Sequence, residues 1–501
     1  MVMKICIIFP NQLFEIKYYP FNLNEIDLLI LIEDPLFFKD KERKLLFNPL
    51  KLMYQVACMR YYYDYCIDNH LKVKYIKYYS NPESIYKFIS EKYSIDELYI
   101  INPVDHLLIN RINKYTKKYK INLKIFDTPY FFISENDLAE YNENKGTFIM
   151  NSFYIYFRKK YGILMNHTDN KPIGGKYSYD KYNRDKFPSN KVNYPKIAKY
   201  NNSKSLKYYN YAIKYINKNF SDNIINTDDN NWNNLYIYPI THSTAKYHLK
   251  NFILNKLNYF GKYQDNVDKN NPFMFHSILS PMLNIGLLSS KYVLDKIINK
   301  VNNKNLNSTE GFIRQLFWRE YSRLCYVYKY DEMKNSNYFN NKNKLNYIWY
   351  YGNTSIDPID HSIKSAFNYG YLHHIIRLMF VCNFMNLCHI HPHEIYKWFM
   401  EFSLDSYDWV MTNNIYSMGL FADGGKTSTK LYICSSNYIS QMSNFKKDGK
   451  WDVIWDSLFY YFIYKNYNKL KGRSLRYRSL WNNKNDKKEL IKTAKNFLKS
   501  I

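Results

Sequence analysis

The apolar pattern of this chain changes period once, and that change limits its possible folds more than any other feature. Over the first 130 residues, short runs with β-branched content at Lys4–Phe9, Leu28–Ile32, Val73–Tyr78, Leu98–Ile101 and Asn122–Phe126 alternate with longer segments of helical spacing, such as Asn48–Asn69 and Pro82–Tyr93. A strand–helix alternation of this kind builds an open parallel sheet covered by helices, with ligands expected beyond the carboxyl ends of the strands. From about residue 236 onward the pattern is helical, with helices expected over Thr244–Gly261, Ser290–Asn302, Gly311–Tyr328, Ile359–Leu387, Pro392–Phe402 and Trp451–Asn468. Between the two halves, Gly174-Gly175 and the polar tract Lys176–Lys207 read as a long connection crossing the surface. The expected organisation is an α/β domain over 1–130, a linker over 131–235 and an all-α domain over 236–501.

Composition narrows the function. Gly and Pro number 14 and 15 in 501 residues, which disfavours a turn-dense all-β fold. Neither a G-x-G-x-x-G motif nor a P-loop occurs, so an ordinary NAD or ATP site has no support. The net charge, 71 − 44 = +27, suits attraction to a polyanion such as nucleic acid, but it also suits compositional drift. The arginines say more. Seven of them lie between Arg314 and Arg478, where planar, bidentate contacts to anions are to be sought. All 8 tryptophans follow residue 231, which fits a stacking or redox cofactor in the second half and equally fits a helical core filled by large rings. The 7 cysteines form no C-x-x-C pair and no set with zinc-ligand spacing, and they point to a reducing compartment. No apolar run approaches the ~18–20 residues needed to span a bilayer, and Ile5–Phe9 is too short for a signal-peptide core, so a soluble, intracellular protein is expected.

Four segments of the helical half carry chemistry. Asn271–Ser289 places His276-Ser277 and then Ser280-Pro281 at a helix start, where hydroxyls and free N–H groups can hold a phosphate. Gly311–Tyr321 sets Arg314 beside Trp318 at helical spacing; a surface helix with one buried ring would look the same. In Ala366–Cys388, His373 and Arg377 share one expected helical face and His374 is turned by ~100°. Adjacent histidines in an apolar helix are either packed core groups or a proton donor aimed at a substrate. Glu401–Gly425 holds Asp405, Asp408, Asn413 and Asn414 after the helix bearing Trp398; a buried Asp405 requires a cation, and Arg377 is the candidate.

Taken with Asn11-Gln12-Leu13, Glu33-Asp34, Pro172–Gly175, Asn183-Arg184, Phe260-Gly261, Gln264-Asp265, Phe421–Gly425 and Asn437–Ile439, these segments resemble the photolyase/cryptochrome superfamily. The similarity is to its deoxyribodipyrimidine photolyase-related branch, the iron–sulfur bacterial cryptochromes and photolyases, and it extends over essentially the whole chain. The resemblance implies a Rossmann-like antenna domain followed by an all-α FAD-binding domain. Tyr263, His276, Ser277, Leu279 and Ser280 would lie at the flavin's phosphates, and Gln315, Trp318 and Asn414 near its ring and the DNA-facing cavity. Arg377 and Asp405 would pair beside the ring, Met411 would sit near its reactive nitrogen, and Trp398 would be the first electron donor, with Tyr350 or Trp349 further out.

The implied reaction is light-driven repair of UV-damaged DNA, most closely of pyrimidine (6-4) photoproducts, with a lesion flipped into the cavity. His373 and His374 match the branch's His-His pair, with His374 the preferred proton donor. Tyr432 and Tyr438 would line the lesion pocket, and Arg473, Arg476 and Arg478 would grip backbone phosphates. A ribityllumazine-type antenna would sit near Asn11 and Glu33, and a monomer is expected. The branch's four cluster cysteines are absent: Pro358, the Met442–Gly449 segment and the neighbourhood of Val453 carry none, so no [4Fe–4S] cluster is expected. Phe399 stands where the branch can carry an oxidisable Tyr. The rival readings are a cryptochrome-like blue-light photoreceptor with the same flavin site and no repair, and a silent helical nucleic-acid-binding protein.

Overall fold

A computed structural model describes residues 2–166, 168–223, 232–302, 305–471 and 475–501. The first part is a parallel sheet of five strands, β1 (Met3–Ile8), β2 (Leu28–Ile32), β3 (Val73–Ile76), β4 (Ile95–Ile101) and β5 (Leu123–Phe126), in the order β3-β2-β1-β4-β5. Ile7 of β1 sits between Ile30 of β2 and Ile100 of β4, so the most apolar strands occupy the centre. The short strands β3 and β5 take the edges, and each carries a lysine, Lys74 and Lys124, whose charge discourages further pairing. Asn11 and Glu33 follow β1 and β2 at the carboxyl edge of the sheet, and both are buried.

The region between the halves is more ordered than a plain connection. Helices Glu135–Asn144 and Met150–Lys160 precede the irregular stretch, and helix Ser203–Asn219 begins inside the expected surface tract, capped by Asn202 accepting from the Ser205 N–H at 3.0 Å.

The second part is helical, as its pattern requires, with two departures from the expected elements. The helix expected over Thr244–Gly261 breaks at Lys256 into His242–Asn255 and Leu257–Tyr263. The long helix expected over Ile359–Leu387 is three pieces: Asp357–Tyr369, which ends at Gly370 with φ 59°, then a π-helix over Ile376–Cys382, then Asn383–Leu387. A left-handed glycine terminates helices because it has no Cβ to clash. His373 therefore lies in the link before the π-helix, not on a shared helical face with Arg377. A second π-helix, Asn413–Gly419, packs against the first; a Cβ on Gly419 would come within 2.5 Å of Cys382 Sγ.

The halves are locked together beside the site. Asn48, capping helix Pro49–Asp68, donates through Nδ2 to the Phe367 carbonyl at 2.9 Å. Lys51 Nζ donates to the Met400 and Ser406 carbonyls at 3.0 and 2.7 Å, and burial lowers that amine to about 7. Arg43 bridges Asp105 of the first half at 2.6 Å and Asp408 of the second at 3.0 Å.

Candidate functional site

The site is built on an ion pair. Arg377 stands in the first turn of the π-helix, and Asp405 in the loop after helix Pro392–Phe402. Arg377 Nη1 meets Asp405 Oδ1 at 3.0 Å and Nη2 meets Oδ2 at 3.1 Å, while Nε donates to the Leu372 carbonyl at 2.6 Å. Ser280 Oγ, at the start of helix Ser280–Ile285, donates to Asp405 Oδ2 at 2.6 Å, and Ser403 Oγ donates to Oδ1 at 2.5 Å. Asn284 Nδ2 holds the Asp405 carbonyl at 2.8 Å. Burial alone would raise the Asp405 carboxyl; the Arg377 charge and the bonds from Arg377, Ser280 and Ser403 outweigh it and hold the group below the usual carboxylate range. The π-helix, helix Ser280–Ile285 and the loop of Ser403 and Asp405 thus fix one anion and one cation.

The two histidines have separate surroundings. His373 is buried and stacks on His276, ring centroids 4.2 Å apart and nearly parallel, while His276 Nε2 faces the Gln264 carbonyl at 3.0 Å. Burial lowers His276 to about 4 and His373 well below its ordinary value, with His276, His374 and Arg377 adding repulsion to the latter. His374 turns the other way and is exposed, yet the protein around it, then Arg377 and Arg184, bring its imidazole down to about 4. A ring that is open on one side and enclosed on the others lines a recess rather than the outer surface.

Arg184 stands near enough to His374 for its charge to act on the imidazole. It pairs with Asp180 at 2.7 Å and Asp265 at 3.4 Å, and Arg314 pairs with Asp180 as well. Tyr432 and Tyr438 are half-buried; burial raises both phenols, and the Arg184 and Asp265 charges reach both. Ser277, Gln315, Trp318 and Asn414 are also half-buried, whereas Leu279 and Met411 are packed in the core. Tyr263, at the end of helix Leu257–Tyr263, stacks on Phe275 with centroids 5.0 Å apart.

Trp398 is fully buried, its Nε1 donating to the Trp349 carbonyl at 2.8 Å. The Phe402 ring lies 4.7 Å from Trp398 and 5.6 Å from the Arg377 guanidinium, so one ring separates Trp398 from the pair. Of the arginines expected at DNA, Arg476 is exposed, Arg478 lies over Tyr467 at 4.2 Å, and Arg473 falls outside the described residues. Their helix, Leu475–Asn482, is tied to the strand of chain bearing Tyr432 through Tyr477 Oη, which donates to the Ile433 carbonyl at 3.0 Å.

Four participants escaped sequence reasoning in whole or in part. Ser403, Asn284 and Lys51 are brought in by packing, and Lys51 comes from a helix some 350 positions away along the chain. The fourth, Arg319, is among the arginines singled out in the sequence, but its partners are not: its guanidinium lies 4.9 Å from Trp409 and bonds Asn284 Oδ1 at 3.3 Å. Only Ser403, in a short S-x-D run ahead of Asp405, left a local signal.

The residues around the pair suit a flavin dinucleotide. Among the described residues, Gln264 Nε2, His276 Nδ1, both ring nitrogens of His373, Arg319 Nη2 and Asn413 Oδ1 are buried without a protein partner. Each such atom costs about 1–3 kcal/mol, so the set calls for a polar ligand with many hydrogen-bonding groups. A hydroxyl-bearing helix start and a fixed cation–anion pair are the matching donors for phosphates and a polar ring edge.

Two other groups fit poorly. Glu33 already accepts from the Tyr75 hydroxyl at 2.6 Å, the Tyr215 hydroxyl at 2.6 Å and the Tyr78 N–H at 2.8 Å, so it is not free to hold a ribityllumazine ring; Asn11 keeps its Oδ1 unpartnered. Where the resemblance implied cluster thiolates, Pro358 begins a helix, Val453 is exposed, and Phe445 packs against His361 at 5.5 Å and Phe380 at 6.3 Å. The cysteines are buried and free, and among the described residues no group of His, Cys, Asp and Glu is arranged to hold a metal. No helix among them is long and apolar enough to cross a membrane.

This geometry has counterparts. Residues 6–232 match the family described as deoxyribodipyrimidine photo-lyase-related protein, and residues 312–455 match the FAD binding domain of DNA photolyase. A (6-4) photolyase of Agrobacterium fabrum is 28% identical over 441 residues, covering 84% of each chain. An uncharacterized protein of Acanthamoeba polyphaga mimivirus is 65% identical over 116 residues, 23% of this chain and 94% of its own. The crystal structure of a bacterial class III photolyase from Agrobacterium tumefaciens shares the fold, with a TM-score of 0.59 at 15% identity over 100% of this chain and 98% of that one. A parallel α/β domain joined to a helical FAD-binding domain of this kind defines a photolyase- or cryptochrome-type flavoprotein. The chain belongs to the photolyase/cryptochrome superfamily, in its deoxyribodipyrimidine photolyase-related branch.

Proposed function

We propose that this protein is a FAD-dependent photolyase that uses light to repair pyrimidine (6-4) photoproducts in DNA and works without an iron–sulfur cluster. The reading rests above all on His374, an accessible neutral imidazole in the recess beside the Arg377–Asp405 pair. FAD, when bound, supplies light-driven donation of one electron. The chain does the rest. Arg377, Asp405 and Ser280 orient the cofactor, and the buried His373–His276 stack excludes water behind His374. Tyr432, Tyr438 and the Arg184–Asp265 pair bracket a base turned out of the duplex. The N–H of the neutral His374 ring can hydrogen-bond the flipped lesion, and the negative charge of the reduced lesion favours uptake of a solvent proton by His374, so that an imidazolium delivers the proton and returns to the neutral ring. The +27 charge and the exposed Arg476 favour the DNA backbone. The (6-4) class is supported by the Agrobacterium relative.

The test is a purified, FAD-loaded and reduced protein given an oligonucleotide with one (6-4) photoproduct under blue light. Restored bases should appear only in the light, and His374→Asn should lower the rate at least about a hundredfold with flavin content unchanged. The second reading, a blue-light photoreceptor, draws on Met411: it is buried, and its thioether is a weak hydrogen-bond acceptor for a flavin nitrogen. A wild-type protein that photoreduces its flavin but leaves the lesion intact would establish that reading instead.

A further inference from the structure

A second aromatic surface lies beside the recess, and none of the groups above uses it. The irregular segment 192–202 runs along helices His242–Asn255 and Leu257–Tyr263 and leaves two hollows between. One, of about 430 Å³, lies among Lys199, Tyr200, Ser243 and Tyr247. The other, of about 460 Å³, lies among Asn193, Tyr194, Asn255, Tyr259, Tyr263 and Phe275. In the second, Tyr259, Phe275 and Tyr263 form a pile, with centroids 4.9 and 5.0 Å apart and planes within 30° and 24°.

Three features indicate the ligand. Tyr259 and Tyr247 remain 52% and 56% exposed, so each offers an open ring face. Lys262 and Lys250 follow these rings by three residues, one helical turn, and Lys199 lines the first hollow. No carboxylate is among the lining residues, although Asp185 pairs with Lys262 at 4.0 Å and Asp268 acts on Tyr194 at the edge of the second hollow. Open rings with interleaved ammonium groups are the chemistry that receives unpaired nucleobases and their phosphates. Tyr263, which borders the groove, is two residues from Asp265, the partner of Arg184.

We propose that this groove is a stacking track for an unpaired DNA strand running from the lesion, with a base on Tyr259 and another on Tyr247. The inference rests on the DNA-directed reading of the recess and extends it to the flanking strand. A fully paired duplex offers no base faces and should gain little from it.

The experiment measures dark binding of fluorescently labelled oligothymidylate and of a blunt duplex to the FAD-loaded protein by anisotropy. Tyr259→Ala and Tyr247→Ala should each weaken oligothymidylate binding about tenfold, with both losses present in the double variant and duplex binding little changed. Tyr259→Phe, which keeps the ring, should retain wild-type affinity. A double variant that melts like the wild type and still binds oligothymidylate equally well would overturn the track, as would a Tyr259→Phe loss equal to that of Tyr259→Ala. Repair assays on the same samples separate the two ideas. Tyrosine-dependent strand binding without any repair sinks the photolyase reading and leaves the track; repair with tyrosine-independent strand binding does the reverse.

Discussion

Asp405 shows how much one residue can carry. It is buried, and its negative charge persists only because Arg377, Ser280 and Ser403 all donate to it. Replacing it by Asn keeps the shape but leaves the Arg377 cation without its counter-charge, and breaking a buried pair in this way costs about 3–5 kcal/mol. Asp405→Asn should therefore melt at lower temperature and lose flavin on gel filtration, read as the drop in visible flavin absorbance per protein. A variant that keeps both flavin and melting temperature would remove the pair from the site. His373 and His374 make the complementary point: neighbours in sequence, one is sealed against His276 and the other opens to the recess.

At the scale of elements, two π-helices meet at the site, and each extra residue per turn re-aims side chains that an α-helix would have placed elsewhere. Their contact tolerates only glycine at position 419. The Phe445 ring is buried and packs against His361 and Phe380. Phe445→Ala should open a cavity and lower stability by about 3–5 kcal/mol, measured as a shift of the denaturant midpoint at unchanged slope. An unshifted midpoint would show that this segment does not take part in the cooperative fold.

The whole molecule should be sensitive to acid. Burial lowers His242, His248 and His276 to about 4, His389 to about 3, and His373 well below its ordinary value, against 6.5 in an unfolded chain. The stability these rings contribute is complete above pH 6.5 and is lost as the pH falls toward 4, because the unfolded chain then binds protons that the folded one refuses. Each contributes a slope of up to about 1.4 kcal/mol per pH unit in that window. Asp34 and Asp265, raised by burial to about 6, and Glu320, raised to about 8, oppose this, but they are fewer. The melting temperature should fall steadily between pH 6.5 and 4; a flat profile would mean these imidazoles are solvated. The Arg43–Asp408 contact ties the domains into one unit in which such a loss is shared.

Local pattern was enough to locate the five strands to within about three residues at their ends, because each strand is a short apolar run whose period is set by its own backbone. The same holds for helix Pro49–Asp68 and for the motif residues that carry the family resemblance; even the Arg377–Asp405 pairing was legible, since a buried carboxylate must find a cation. What the amino-acid order left open was everything that depends on distant segments meeting. Gly370 ends a helix that the apolar period alone would continue, Lys51 crosses to the Ser406 carbonyl, and Tyr263 stacks on Phe275. Periodicity reports a segment's own geometry; which side chains face one recess is decided by packing density and polar satisfaction across the fold, and those exist only once the chain is closed on itself.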